Sequence, residues 1–154
     1  MDLDPTPTNP SPPQPALAAA SLSPSDERTW AMLAHLSVLL NLVTGFLGVI
    51  AALAVYIAYK DRSRYVAYQS MQAFIFQLIW WFGGAIVAGL AWAATGVLSM
   101  VLIGLIFIPV ACLISLIPLA SLVYGILAAV QCNSGQDFHY WLIGDWVRGE
   151  LVKS

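Results

Sequence analysis

Residues 65–136 read YVAYQSMQAFIFQLIWWFGGAIVAGLAWAATGVLSMVLIGLIFIPVACLISLIPLASLVYGILAAVQCNSGQ, 72 consecutive positions without one Asp, Glu, Lys or Arg. Soluble domains carry about 25% charged residues, and their surfaces need that charge to stay in water. Over all 154 residues only 9% are charged and 60% are hydrophobic, with a mean hydropathy of +0.80. The composition therefore excludes an ordinary soluble globule and indicates an all-α, polytopic membrane helical bundle whose first partner is the lipid bilayer. Six Lys plus Arg stand against eight Asp plus Glu, for a formal net charge of −2. No overall basic field exists to hold a phosphate backbone, so nucleic acid is excluded as a partner.

The uncharged stretch divides at Thr95-Gly96. Its first run, Val66 to Ala94, is led by Tyr65, Tyr68, Gln69 and Gln72, which share one arc at helical spacing. It then carries the small-residue pairs Gly84 with Ala88 and Ala85 with Gly89, a face that lets another helix approach closely. The second run, Val97 to Gln131, is too long for a perpendicular span and contains Pro109 and Pro118, each expected to kink it. Gln131 to Gly135 forms a polar exit with a glycine stop signal.

Upstream lies Lys60-Asp61-Arg62-Ser63-Arg64, the densest charge cluster and the mark of a cytoplasmic loop. Before it, Trp30 to Tyr59 holds no Asp, Glu, Lys or Arg. At about 1.5 Å per residue that run would be about 45 Å long, against a hydrocarbon core of about 30 Å. Asn41, Thr44 and Gly45 break it in the middle, which favours a hairpin of two short segments over one bent span. Ser25 is the expected helix cap, with Asp26 and Glu27 in the first turn. The expected organisation is thus a disordered Pro-rich tail over 1–25, four membrane segments within 26–136, and an interfacial C-terminal segment over 137–154. With four segments all six Lys and Arg fall on one side, giving a multi-pass protein with both termini cytoplasmic. A three-span alternative moves only the N-terminus and Arg28 to the far side.

Residues able to carry chemistry are few. The chain has no nucleophile elbow, phosphate-cradling glycine loop or His-Glu-x-x-His motif, and no acidic pair in its apolar runs, so no enzyme, no catalytic residue and no metal site is expected. Cys112 and Cys132 read as small packing residues. His35 is the most informative single residue, because an imidazole in an otherwise uncharged segment needs a hydrogen-bond partner or a ligand. It is the one candidate for holding a cofactor, a haem or bacteriochlorophyll; otherwise none is expected. The plainer alternative is a hydrogen bond to Gln72, Gln77 or Ser37. Gln69, Gln72 and Gln77 either line a polar path or join helices.

Glu27-Arg28-Thr29-Trp30, Leu33-Ala34-His35-Leu36-Ser37, Tyr65-Val66-Ala67-Tyr68, Gln72-Ala73, Phe76-Gln77 and Asn133-Ser134-Gly135 with Tyr140 form a recognisable series. It resembles a prokaryotic family of small membrane proteins of unknown function related to the twenty-kilodalton Tic subunit of the chloroplast import translocon. Gln69 stands where that family commonly has a second histidine. The resemblance implies a four-segment bundle in the bacterial cytoplasmic (inner) membrane and, from the plastid relative, a part in protein translocation.

Three functions fit these residues. The first is a non-enzymatic accessory protein that packs with other membrane proteins or self-associates through Gly84, Ala85, Ala88 and Gly89. The second is a transport or translocation element with a polar cavity lined by His35 and the glutamines. The third is a tetrapyrrole-binding subunit of a photosynthetic or respiratory complex, with His35 as axial ligand.

Overall fold

Helix α1, Pro24–Leu36, begins where its backbone demands least. Proline occupies its first turn, where a missing N–H costs nothing. The cap is Ser23, whose hydroxyl accepts from Asp26 N at 3.2 Å, so the helix starts earlier than a Ser25 cap would place it. The computed structural model describes residues 21–153, with side chains through residue 151; the tail expected over 1–25 lies outside them as far as residue 20. All regular elements among the described residues are helical.

After α1, a 3₁₀ turn (Ser37–Leu39) and a short α2 (Leu40–Thr44) lead to Gly45 at φ 82°. That left-handed position suits glycine and ends the helix. The chain then returns as α3, Leu47–Tyr59, packed against α1 and the 3₁₀ turn. Residues 24–59 are thus a helical hairpin, turned at the breakers. Gly48 makes it tight: a Cβ there would fall 2.2 Å from the Ser37 carbonyl oxygen.

Helix α4, Arg64–Gln77, is capped by Ser63, which accepts from Val66 N at 3.1 Å and donates to Glu27 Oε1 at 2.5 Å. It passes through one π-helical stretch, Leu78–Gly83, into α5, Gly84–Ser99. The six π residues and sixteen of α5 make a rod of about 33 Å at about 1.5 Å per residue, the thickness of a hydrocarbon core. The chain turns at residues 100–102 through Leu102 at φ 64°, and a 3₁₀ segment, Ile103–Phe107, folds back under α5. Helix α6, Ile108–Asn133, returns antiparallel to α5.

This corrects two expectations. Pro109 sits in the first turn of α6 and begins a helix there instead of kinking one; only Pro118 lies inside. Among the described residues two helices, not four, are long and apolar enough to cross a membrane: Arg64–Ser99 and Ile103–Asn133, of 36 and 31 residues. The first two segments are too short for the same test, and α3 is apolar but has only 13 residues. Burial explains what the two long helices face. Only 28% and 11% of their most apolar windows are covered by the rest of the chain. Leu78, Ile86, Leu90, Ile106 and Val123 all point outward, a surface that hydrocarbon accepts and water does not.

The base of the bundle is different. Most α4 side chains from Val66 to Gln77 are buried. Residues 137–140 run beside them, and α7, Ile143–Lys153, packs on α4 with Val147 inside. The C-terminal segment expected to lie wholly at the interface therefore supplies part of the core: Phe138 is 6% exposed and Tyr140 2%.

Candidate functional site

The described residues bury ten polar side chains in an otherwise apolar molecule, and six of them, His35, Gln69, Gln72, Ser37, Asn41 and Gln77, gather in two groups along α4. The first surrounds His35. Gln69 Nε2 donates to Asp137 Oδ1 at 2.9 Å and to the Phe138 carbonyl at 3.0 Å, which fixes the amide and turns Oε1 toward His35. His35 Nε2 must then carry the proton and donate to Gln69 Oε1 at 3.1 Å. Its Nδ1 is left to accept from the Tyr140 hydroxyl at 3.2 Å. Cys132 Sγ also donates to Gln69 Oε1, at 3.4 Å. Both ring nitrogens of His35 are thereby engaged, and an axial bond to a haem or bacteriochlorophyll would have to break one of them.

Gln72 behaves like a piece of backbone. Its Nε2 donates to the Phe138 carbonyl at 3.1 Å and its Oε1 accepts from Tyr140 N at 3.0 Å, so one amide satisfies a backbone acceptor and a backbone donor of an irregular segment that has no strand beside it. Aromatic rings close the site. Tyr140 stacks on Phe76 with centroids 4.0 Å apart and planes 10° from parallel, while Phe138 meets His35 and Tyr124 in T-shaped contacts. Burial pushes the Tyr140 hydroxyl well above its ordinary value, so it stays a donor.

The second group pins the hairpin to α4. Asn41 Nδ2 donates to Gln77 Oε1 at 3.0 Å, and Gln77 Nε2 donates to Ser37 Oγ at 3.0 Å. Ser37 in turn donates to the carbonyls of Gly48 at 2.8 Å and Ala34 at 2.7 Å, and Gly48 N donates to Asn41 Oδ1 at 2.8 Å. No buried side-chain polar atom among the described residues lacks a partner. A closed network of this kind has no open row of groups along which a solute could pass, and its chemistry is that of a register lock.

Sequence reasoning found His35, Gln69, Gln72 and Gln77 but not Tyr140, Phe138 or Asn41. Asn41 was legible only as a breaker, although the breaker and the bonded side chain are the same residue. The small residues divide. Gly84 is buried against Ile117 and Pro118, where a Cβ would lie 3.2 Å from each side chain, and Ala88 is half-buried one turn on. Ala85 and Gly89 face outward, and a Cβ on Gly89 meets nothing within 4 Å. Among the described residues no three His, Cys, Asp or Glu side chains converge as a metal site would require.

Over residues 26–147 the chain matches the family model MamF/MmsF, described as the magnetosome magnetite crystal formation protein family. The chain belongs to the MamF/MmsF family. No curated protein and no solved structure matches it. Membership of the MamF/MmsF family corrects the resemblance to the Tic-related proteins, since the match covers the same stretch from Asp26 to Val147 that carried it. The elements that suggested that resemblance, His35, Ser37, Gln72 and Gln77, serve here to hold a helical hairpin and a C-terminal segment on α4. Such packing needs are common to small helical bundles and do not mark a translocon subunit.

Proposed function

We propose that this chain takes part in magnetosome magnetite crystal formation as a non-enzymatic integral membrane protein that packs with other membrane proteins or with copies of itself. The family match across residues 26–147 carries this reading. The outward apolar faces of α5 and α6 support the membrane part of it, because so little of either helix is covered from within. Ala85 and Gly89 offer the surface for lateral packing, being small, adjacent by one turn and uncovered.

In this reading α5 and α6 cross the bilayer and the hairpin tip, with Leu40, Val43 and Phe46 exposed, dips into it from one side. Arg28, Lys60, Arg62, Arg64 and Arg148 stand at the opposite end of the hairpin and at the base of α4, which favours a cytoplasmic base with both termini there. The test is removal of the chain from a magnetite-forming cell, with electron microscopy of the crystals and extraction of the membranes at alkaline pH. Altered crystal size or shape, and retention of the chain in the extracted membranes, is the expected outcome. Unchanged crystals would overturn the role; release by alkali would overturn the membrane reading.

A further inference from the structure

A second feature lies at the base, away from the His35 network. A cleft of about 1030 Å³ opens between the end of α3, the start of α4 and α7, with Tyr56, Lys60, Arg64, Tyr65, Tyr68 and Arg148 among its walls. Its cations are not equivalent. Arg148 is committed: Nη2 lies 2.5 Å from Asp137 Oδ2 and the guanidinium sits 4.6 Å over the Tyr68 ring. Tyr65 and Tyr68 spend their hydroxyls on the carbonyls of Gln136 and Gly144. The side-chain donors of Lys60, Arg64 and Tyr56 have no hydrogen-bond or ion-pair partner among the described residues. Asp61 and Asp137 also line the cleft, so three cations against two carboxylates leave it one positive charge.

The apolar surface leads into this cleft. Ile50 and Ile57 lie on one exposed face of α3, and Lys60 continues that face one turn further on. An amphiphile whose chains lay along Ile50 and Ile57 would bring its head to Lys60. A single negative charge on tetrahedral oxygens matches both the charge of the cleft and its three idle donors.

We propose that this cleft binds the phosphodiester headgroup of an anionic membrane lipid, held by Lys60, Arg64 and the Tyr56 hydroxyl. The inference rests on the membrane reading above but not on any role in crystal formation. It places a specific lipid on the leaflet where the basic residues gather, which is where anionic lipid exerts its pull on Lys and Arg.

The experiment reconstitutes the full chain in vesicles of equal phosphatidylglycerol and phosphatidylcholine and counts retained lipid by native mass spectrometry. Wild type is expected to retain phosphatidylglycerol over phosphatidylcholine roughly tenfold, and the double variant Lys60→Gln/Arg64→Gln to lose that preference. Lys60→Arg should keep it, and Tyr56→Phe should weaken it without changing the melting temperature. Equal retention of the two lipids by wild type, or an undiminished preference in a folded double variant, overturns the proposal. Displacement by millimolar inorganic phosphate overturns it too, because the ligand would then be the free anion. A chain that enters no vesicle refutes the membrane reading itself, and the lipid site with it.

Discussion

Gln72 shows how much of this fold hangs on single amides. Replacing it with Leu leaves Tyr140 N without an acceptor and removes one of two donors from the Phe138 carbonyl. A buried group left unsatisfied costs about 1–3 kcal/mol, so Gln72→Leu should destabilise the protein by about 2 kcal/mol in detergent and expose the segment after Gln136 to protease. Denaturant unfolding and limited proteolysis read both effects. Tyr140 gives a pH signature. Burial raises its folded-state pKa above the ordinary 10, so the unfolded chain loses that proton first and stability falls as pH rises past about 10. Tyr140→Phe should flatten part of that alkaline loss, at a constant cost from leaving His35 Nδ1 unpaired. Unfolding midpoints between pH 8 and 11 check the slope. The need of His35 and the three glutamines for partners was legible, because polar groups in an apolar run must be satisfied. Which partners they take was not, because Phe138 and Tyr140 sit among charged neighbours that suit a headgroup layer equally well.

Among the elements, the hairpin was the most readable feature: Asn41, Thr44 and Gly45 stand at its turn, and glycine supplies the left-handed residue there. The turn between α5 and α6 gave no such sign. Its left-handed position is Leu102, inside an unbroken apolar run, and Gly104 works two residues later by letting the chain pass close to Thr95 and Ser99. The π stretch was equally hidden, since Leu78 to Gly83 differs from the helix on either side only in hydrogen-bond register. It sets the face that α5 presents and so decides which small residues serve inside the molecule. Gly84→Leu should therefore disturb α5 against Pro118, costing about 1–3 kcal/mol by overpacking. Gly89→Leu should leave the unfolding midpoint unchanged while reducing association between chains, measured by crosslinking in membranes. Loss of stability in the second variant, with none in the first, would reverse the assignment of the two faces.

For the molecule as a whole, the proposed topology, with the polar-cored base on the cytoplasmic side and the apolar pair of helices across the bilayer, can be tested by labelling. Single cysteines at Asp61 and Glu150, in a background without Cys112 and Cys132, should react with a membrane-impermeant maleimide only in inverted vesicles. One at Met100, between α5 and the 3₁₀ segment, should react only from the other face. Labelling of all three from one side would remove the crossing by α5. The composition made the lipid environment plain, but not that two helices alone among the described residues reach spanning length; the count depends on where chain reversals fall, and apolar residues hide them. The pinning of residues 137–140 by Gln69 and Gln72 has a consequence for biogenesis. The ribosome delivers that segment after both long helices, so the nascent hairpin and α4 wait with their amides open until synthesis has passed Tyr140. Chains cut short before that point would lack the Phe138 and Tyr140 groups that satisfy Gln69, Gln72 and His35 in the finished protein.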